Sequence, residues 1–184
     1  GYTDMSILGA TRDDAAGECF DKIARVLGLS YPGGKPMEEL AQGGDDAKYP
    51  LPRARVAGNP LDMSFSGLKT AAVNLIHNAA QKGEPLDLPS LAASVTAAIS
   101  DELIPRTMEA ARRTGRTAAG GVAANRTIRA NLEAACRENG LTLWLPPLSL
   151  CGDNGAMIGS QAYYEYLTGT RADSSLNAYA NMAI

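Results

Sequence analysis

Short apolar segments closed by glycine or proline, alternating with longer helical stripes, narrow the folds open to this chain. Residues 1–9 carry Met5, Ile7 and Leu8 and end in Gly9, which reads as the end of a strand. Ala16, Phe20, Ile23, Ala24 and Leu27 then recur at helical spacing, with Thr11 as the expected N-cap and Gly28 as the stop. Residues 64–80 and 90–115 give two further helical patterns, the second opened by Ser90 and carrying Pro105, which predicts a kink or a split. Residues 117–119 and 141–145 are short enough for strands, the latter buried, and they flank a helix expected from about Asn125 to Gly140. Ala156, Ile158, Ala162, Tyr163 and Leu167 mark a last helix. Helices alternating with short strands predict an α/β fold.

Composition removes several classes. The 184 residues are 45% hydrophobic with no uninterrupted apolar run near ~18 residues, which predicts a packed core and no membrane span. The net charge of −3 gives no broad attraction for RNA, so contact with a nucleic acid has to be local or supplied by a partner. Three scattered cysteines, Cys19, Cys136 and Cys151, form no disulfide framework and no C-x-x-C pair, consistent with free thiols in a reducing, cytoplasmic setting.

Three turns carry the candidate chemistry. Gly120-Gly121-Val122-Ala123-Ala124-Asn125 brings two glycines to the start of a helix, whose N–H groups favour an anion. Asn125 adds an amide able to donate and accept toward a base or ribose. Tyr31-Pro32-Gly33-Gly34 follows the helix bearing Asp21, and Asp21 or Glu38 beside glycine backbone suits ribose hydroxyls; the alternative is a helix end with exposed acids. Cys151-Gly152-Asp153-Asn154-Gly155 sets Asp153 at a helix start, either as an N-cap or as one ligand of a metal. The single histidine, His77, has no partner at i+3 or i+4 and reads as an ordinary histidine, and Ser64-Phe65-Ser66-Gly67 lacks the Gly-x-Ser-x-Gly frame of a serine nucleophile.

Taken in order, Thr11-Arg12-Asp13-Asp14-Ala15-Ala16-Gly17-Glu18, Phe20-Asp21-Lys22, Tyr31-Pro32-Gly33-Gly34, Ser64-Phe65-Ser66-Gly67-Leu68-Lys69-Thr70, Gly120 to Asn125 and Asp153-Asn154-Gly155-Ala156-Met157-Ile158 closely resemble the TsaD family. These are the tRNA threonylcarbamoyladenosine transferases once described as O-sialoglycoprotein endopeptidases. The resemblance implies an actin-like, sugar-kinase-like fold of two ribonuclease-H-like lobes around a nucleotide cleft. It implies transfer of threonylcarbamoyl from threonylcarbamoyl-AMP to the exocyclic amine of the adenosine beside the tRNA anticodon. Asp21, Gly34, Glu38, Gly120, Gly121 and Asn125 match the family's nucleotide contacts, and Asp153 matches its carboxylate ligand to iron or zinc. The implied partners are tRNA, a related scaffold subunit and an ATPase subunit. A non-catalytic assembly subunit of the same fold is the alternative, and a metallopeptidase a weaker one.

The chain departs from the family pattern at several points. The family's H-x-x-x-H and Ser-Gly-Gly-His-Thr segments do not occur in these 184 residues. The resemblance therefore implies the second lobe of a two-lobe protein over residues 1–170, with 171–184 as a tail and self-association where its lobe partner is missing. Cys19 and Gly152 stand where Ala and Thr are usual, and Pro105 falls in the long helix.

Overall fold

The computed structural model describes residues 1–115 and 121–177. Six helices follow one another: α1 (Ala16–Val26), α2 (Gly34–Leu40), α3 (Ser66–Lys82), α4 (Leu88–Thr114), α5 (Arg126–Glu138) and α6 (Gly155–Leu167). Two 3-10 turns, Gly121–Ala124 and Leu148–Leu150, sit before α5 and α6.

α4 is the axis. It buries Leu91, Val95, Ala98 and Ile99 completely and packs against α2, α3 and α5. α1 closes the layer against α2 and α3 with Cys19, Phe20, Ile23 and Ala24, and α5 adds Ile128, Leu132 and Cys136. The apolar stripes read from the sequence are the ones that face this core, as helical periodicity requires.

Among the described residues no strand forms, and the α/β expectation is not met in this part of the chain. A strand needs a laterally paired neighbour. A parallel bridge joins Thr11 and Met63, closed by Arg12 N–H to Met63 O at 2.8 Å and Met63 N–H to Ala10 O at 2.9 Å, and Trp144 also lies in an isolated bridge. Residues 1–9 stay largely exposed, with Ile7 at 61%, and residues 141–145 are not buried, with Trp144 at 72%. The expected strand at 117–119 lies outside the described residues.

Helix ends also differ from expectation. α1 starts after Ala15, while the Thr11 hydroxyl donates to Asp14 O at 2.8 Å in the preceding turn. α4 is capped by Asp87, which accepts from Ser90 N–H at 3.2 Å, so Ser90 is the capped residue and not the cap. Asp87 also accepts from Lys48 at 2.7 Å, and that ammonium together with the Ser90 bonds holds its carboxyl at about 2. Pro105 neither splits nor ends α4. A proline inside a helix costs about 3 kcal/mol, and burial on several sides of α4 offsets it. Arg106 also braces this turn, donating to Glu102 O at 2.9 Å and to Asp62 O at 2.7 Å.

α6 is different. None of its residues is buried, and Met157, Ile158, Tyr163, Tyr166 and Leu167 are exposed. Tyr164 stacks on Tyr2 with ring centroids 3.9 Å apart. No described helix is long and apolar enough to cross a membrane, and Cys19, Cys136 and Cys151 are all buried thiols outside any disulfide.

Candidate nucleotide cleft

A cleft of about 500 Å³ opens between α1, α2, the 3-10 turn at Gly121–Ala124 and the start of α5. Its position follows from local rules. α1 turns its apolar stripe to the core, so Asp21, next to Phe20, comes to the edge of that stripe and faces the following turn. There Gly33 N–H donates to Asp21 Oδ1 at 2.6 Å. Gly33 can be nothing larger, because a Cβ at this position would overlap Ala24 Cβ and come within 2.9 Å of Asp21 Cα. Helix, carboxylate and glycine turn are thus one unit. Oδ1 orders the turn, and Oδ2 is left as the acceptor at the cleft.

Gly34 opens α2 on the cleft wall, and a Cβ added there would meet nothing within 4 Å, so the wall is bare backbone facing open space. One turn later Glu38 lines the same cleft and accepts from Arg126 N–H at 3.2 Å, with the Arg126 guanidinium Nε at 3.6 Å. The acid thereby ties α2 to the N-terminus of α5, where an anion is favoured by the helix dipole.

Asn125 is the N-cap of α5. Its Oδ1 accepts from Ile128 N–H at 3.1 Å, while Nδ2 is buried without a partner. A buried amide nitrogen left unpaired costs about 1–3 kcal/mol, so this atom calls for an acceptor. The structure thus divides the amide: its acceptor half belongs to the helix and its donor half is buried and unpaired.

Of the residues singled out in the sequence, the cleft gathers Asp21, Gly34, Glu38 and Asn125. Gly121 begins the 3-10 turn next to it, and Gly120 lies outside the described residues. Asp153 is not among the lining residues. It is exposed, and the cap of α6 is Asn154, whose Oδ1 accepts from Met157 N–H at 3.0 Å. The N-cap reading of Asp153 is therefore corrected by one residue. Among the described residues no group of three or more His, Cys, Asp or Glu comes together to hold a metal. His77 is exposed on α3.

Other lining residues were not among the expected contacts. Phe20 supplies an apolar wall, and Lys35 and Arg126 stand at the rim, each directly following a predicted contact, Gly34 and Asn125. That adjacency was the available signal.

Beneath the cleft, Asp14 holds α1 to α3. It pairs with Lys22 and Lys69, each at 2.7 Å, and Lys22 also reaches Glu18 at 2.7 Å. The Lys22 ammonium first, then Lys69, keeps the Asp14 carboxyl at about 2. Asp13 caps α3 through the Phe65 and Ser66 N–H groups and the Ser64 hydroxyl. Burial by itself would raise its pKa, and these bonds bring it below the usual value. Burial pushes the Cys19 thiol up to about 12, so it is inert at neutral pH.

The sequence profile of the TsaD family, tRNA N6-adenosine threonylcarbamoyltransferase, matches residues 1–160. The chain belongs to the TsaD family. Curated relatives carrying that name include proteins of Moorella thermoacetica, 48% identical over 100% of this chain and 54% of the relative, and of Latilactobacillus sakei, 49% identical over 97% and 53%. A Clostridium botulinum protein of the same name is 41% identical over 100% of the chain and 55% of its own length. The chain thus spans about half the length of the curated relatives it matches.

Proposed function

We propose that this chain forms the nucleotide-holding part of a tRNA N6-adenosine threonylcarbamoyltransferase. The observation that carries the reading is Asn125, an α5 cap whose unpaired Nδ2 is buried at a cleft that also gathers Asp21, Gly34 and Glu38. Threonylcarbamoyl-AMP offers partners for each. Asp21 Oδ2 accepts from a ribose hydroxyl, the bare backbone at Gly34 admits the flat base or sugar, and Asn125 Nδ2 donates to a ring nitrogen or ribose oxygen. In the reaction the exocyclic amine of the tRNA adenosine attacks the carbamoyl carbonyl. The C–O bond to phosphate breaks, AMP leaves, and the amine loses a proton. Holding the AMP portion fixed while the acyl group is attacked is this chain's share.

The lobe assignment belongs to the same proposal. Residues 1–170 act as the second lobe of an actin-like fold and 171–184 as a tail, with tRNA, a scaffold subunit and an ATPase subunit as partners in the cytoplasm. For the iron or zinc that the resemblance implies, Asp153 is a single exposed donor. One carboxylate does not make a metal site among the described residues.

The test is a chimera in which this chain replaces the matching half of the Moorella thermoacetica protein, assayed for threonylcarbamoyl transfer to tRNA. Transfer that falls with Asp21→Asn and with Asn125→Asp supports the reading. Transfer by the chimera that ignores both substitutions overturns it.

A further inference from the structure

One side chain behind the cleft ties together three segments that the sequence keeps apart. From α5, the Arg129 guanidinium donates through Nε to Ala123 O at 3.0 Å and through an Nη to Pro146 O at 3.0 Å. The same Nη lies 3.7 Å from Cys151 Sγ. Ala123 is in the 3-10 turn two residues before Asn125, and Cys151 opens the turn two residues before Asp153. Cys151 is itself held, with its thiol directed at Pro146 O (3.9 Å) and Pro147 O (3.7 Å). Arg129 is half-buried, and its planar fork is what allows one head group to satisfy acceptors in three directions. A lysine carries its three donors on one nitrogen and lacks the spread of the guanidinium fork.

We propose that Arg129 is a positioning residue. It fixes the distance between the turn that ends in Asn125 and the turn that carries Asp153, and thereby aligns the nucleotide with whatever engages the acyl end. Arg129 lies outside the cleft lining. Its effect on the reaction rests on the transferase reading above, but the link between the two turns does not. Carbonyl acceptors at Ala123 and Pro146 would lose a charged donor together, so removing the guanidinium frees both turns at once.

Two readouts separate these levels. The first is the rate at which iodoacetamide labels each cysteine in the 184-residue chain, read by mass spectrometry, in wild type, Arg129→Lys and Arg129→Gln. Cys151 labelling is expected to rise about tenfold or more in both variants, as a local opening does when few contacts hold it. Cys136, buried on the same helix, and Cys19, buried in α1, stay at the wild-type rate. The second is kinetics in the Moorella chimera: kcat is expected to fall about tenfold or more with KM for threonylcarbamoyl-AMP nearly unchanged, because misplacement by ~1 Å acts at that scale. Unchanged Cys151 labelling in both variants overturns the proposal. So does equal exposure of all three cysteines, which marks general loosening instead of a freed turn. A chimera that does not transfer threonylcarbamoyl even with Arg129 present contradicts the transferase reading and leaves the labelling result to decide the link.

Discussion

α4 and α6 are both helices of apolar and small residues, yet one is the axis of the core and the other buries nothing. α4 has α2, α3 and α5 against it and fully encloses Leu91, Val95 and Ile99. α6 leaves Ile158 at 73% and Leu167 at 61% exposed. Propensity forms both helices, and only the first has neighbours to bury its stripe. The same contrast divides the candidate chemistry. Asp21, Glu38 and Asn125 are fixed by bonds to Gly33, Arg126 and Ile128, while Asp153 stands exposed just ahead of α6. The cleft residues are thus held by bonds within this chain, and Asp153 is not.

The sharpest way to break this contrast is to cut both helices equally. Ile99→Ala is expected to cost about 2–5 kcal/mol in urea denaturation, and Ile158→Ala no more than about 0.5 kcal/mol. Similar losses at the two positions would mean that α6 is packed after all. Asn125 gives a smaller effect with two parts. Asn125→Ala removes cap and donor, costing about 1 kcal/mol of stability together with AMP affinity. Asn125→Asp keeps an oxygen for Ile128 N–H but removes the donor, so AMP affinity falls about fivefold, the scale of one hydrogen bond. If Asn125→Asp binds AMP as tightly as wild type, Nδ2 is not the donor.

A further effect shows in the acid limb. The Asp14 carboxyl titrates at about 2 against an ordinary 3.8. A depressed carboxylate pKa stabilises the fold above the unfolded value, and that contribution is lost as pH falls from about 4 through about 2. Asp14→Asn is therefore expected to lower stability at neutral pH and to flatten the acid limb of a stability–pH curve across that window. An unchanged limb would show that the Lys22 and Lys69 pairs do not link α1 to α3 energetically.

Much of the cleft was legible in the sequence because its signals are local. A carboxylate at the edge of an amphipathic stripe, two glycines after the helix and an asparagine at a helix start each have one dominant conformation. The family motifs then place them together. Strand pairing in the described residues was not legible for the opposite reason. Residues 1–9 and 141–145 have strand-like content, but a strand exists only with a paired neighbour, and the pattern of one segment cannot supply it. Helix starts slipped for a similar cause: Asp87 and Asn154 displaced Ser90 and Asp153 as caps because several capping residues sit side by side and local geometry selects among them. Arg129 was invisible because its meaning lies in three carbonyl and thiol partners spread from Ala123 to Cys151.

Calorimetric titration of AMP into the 184-residue protein tests most directly the proposal that Asp21 and Asn125 hold a nucleotide. The expected result is saturable binding of one AMP per chain, weakened by Asp21→Asn and by Asn125→Asp and untouched by Asp153→Ala. Absence of binding, or binding that ignores Asp21 and Asn125, would contradict it.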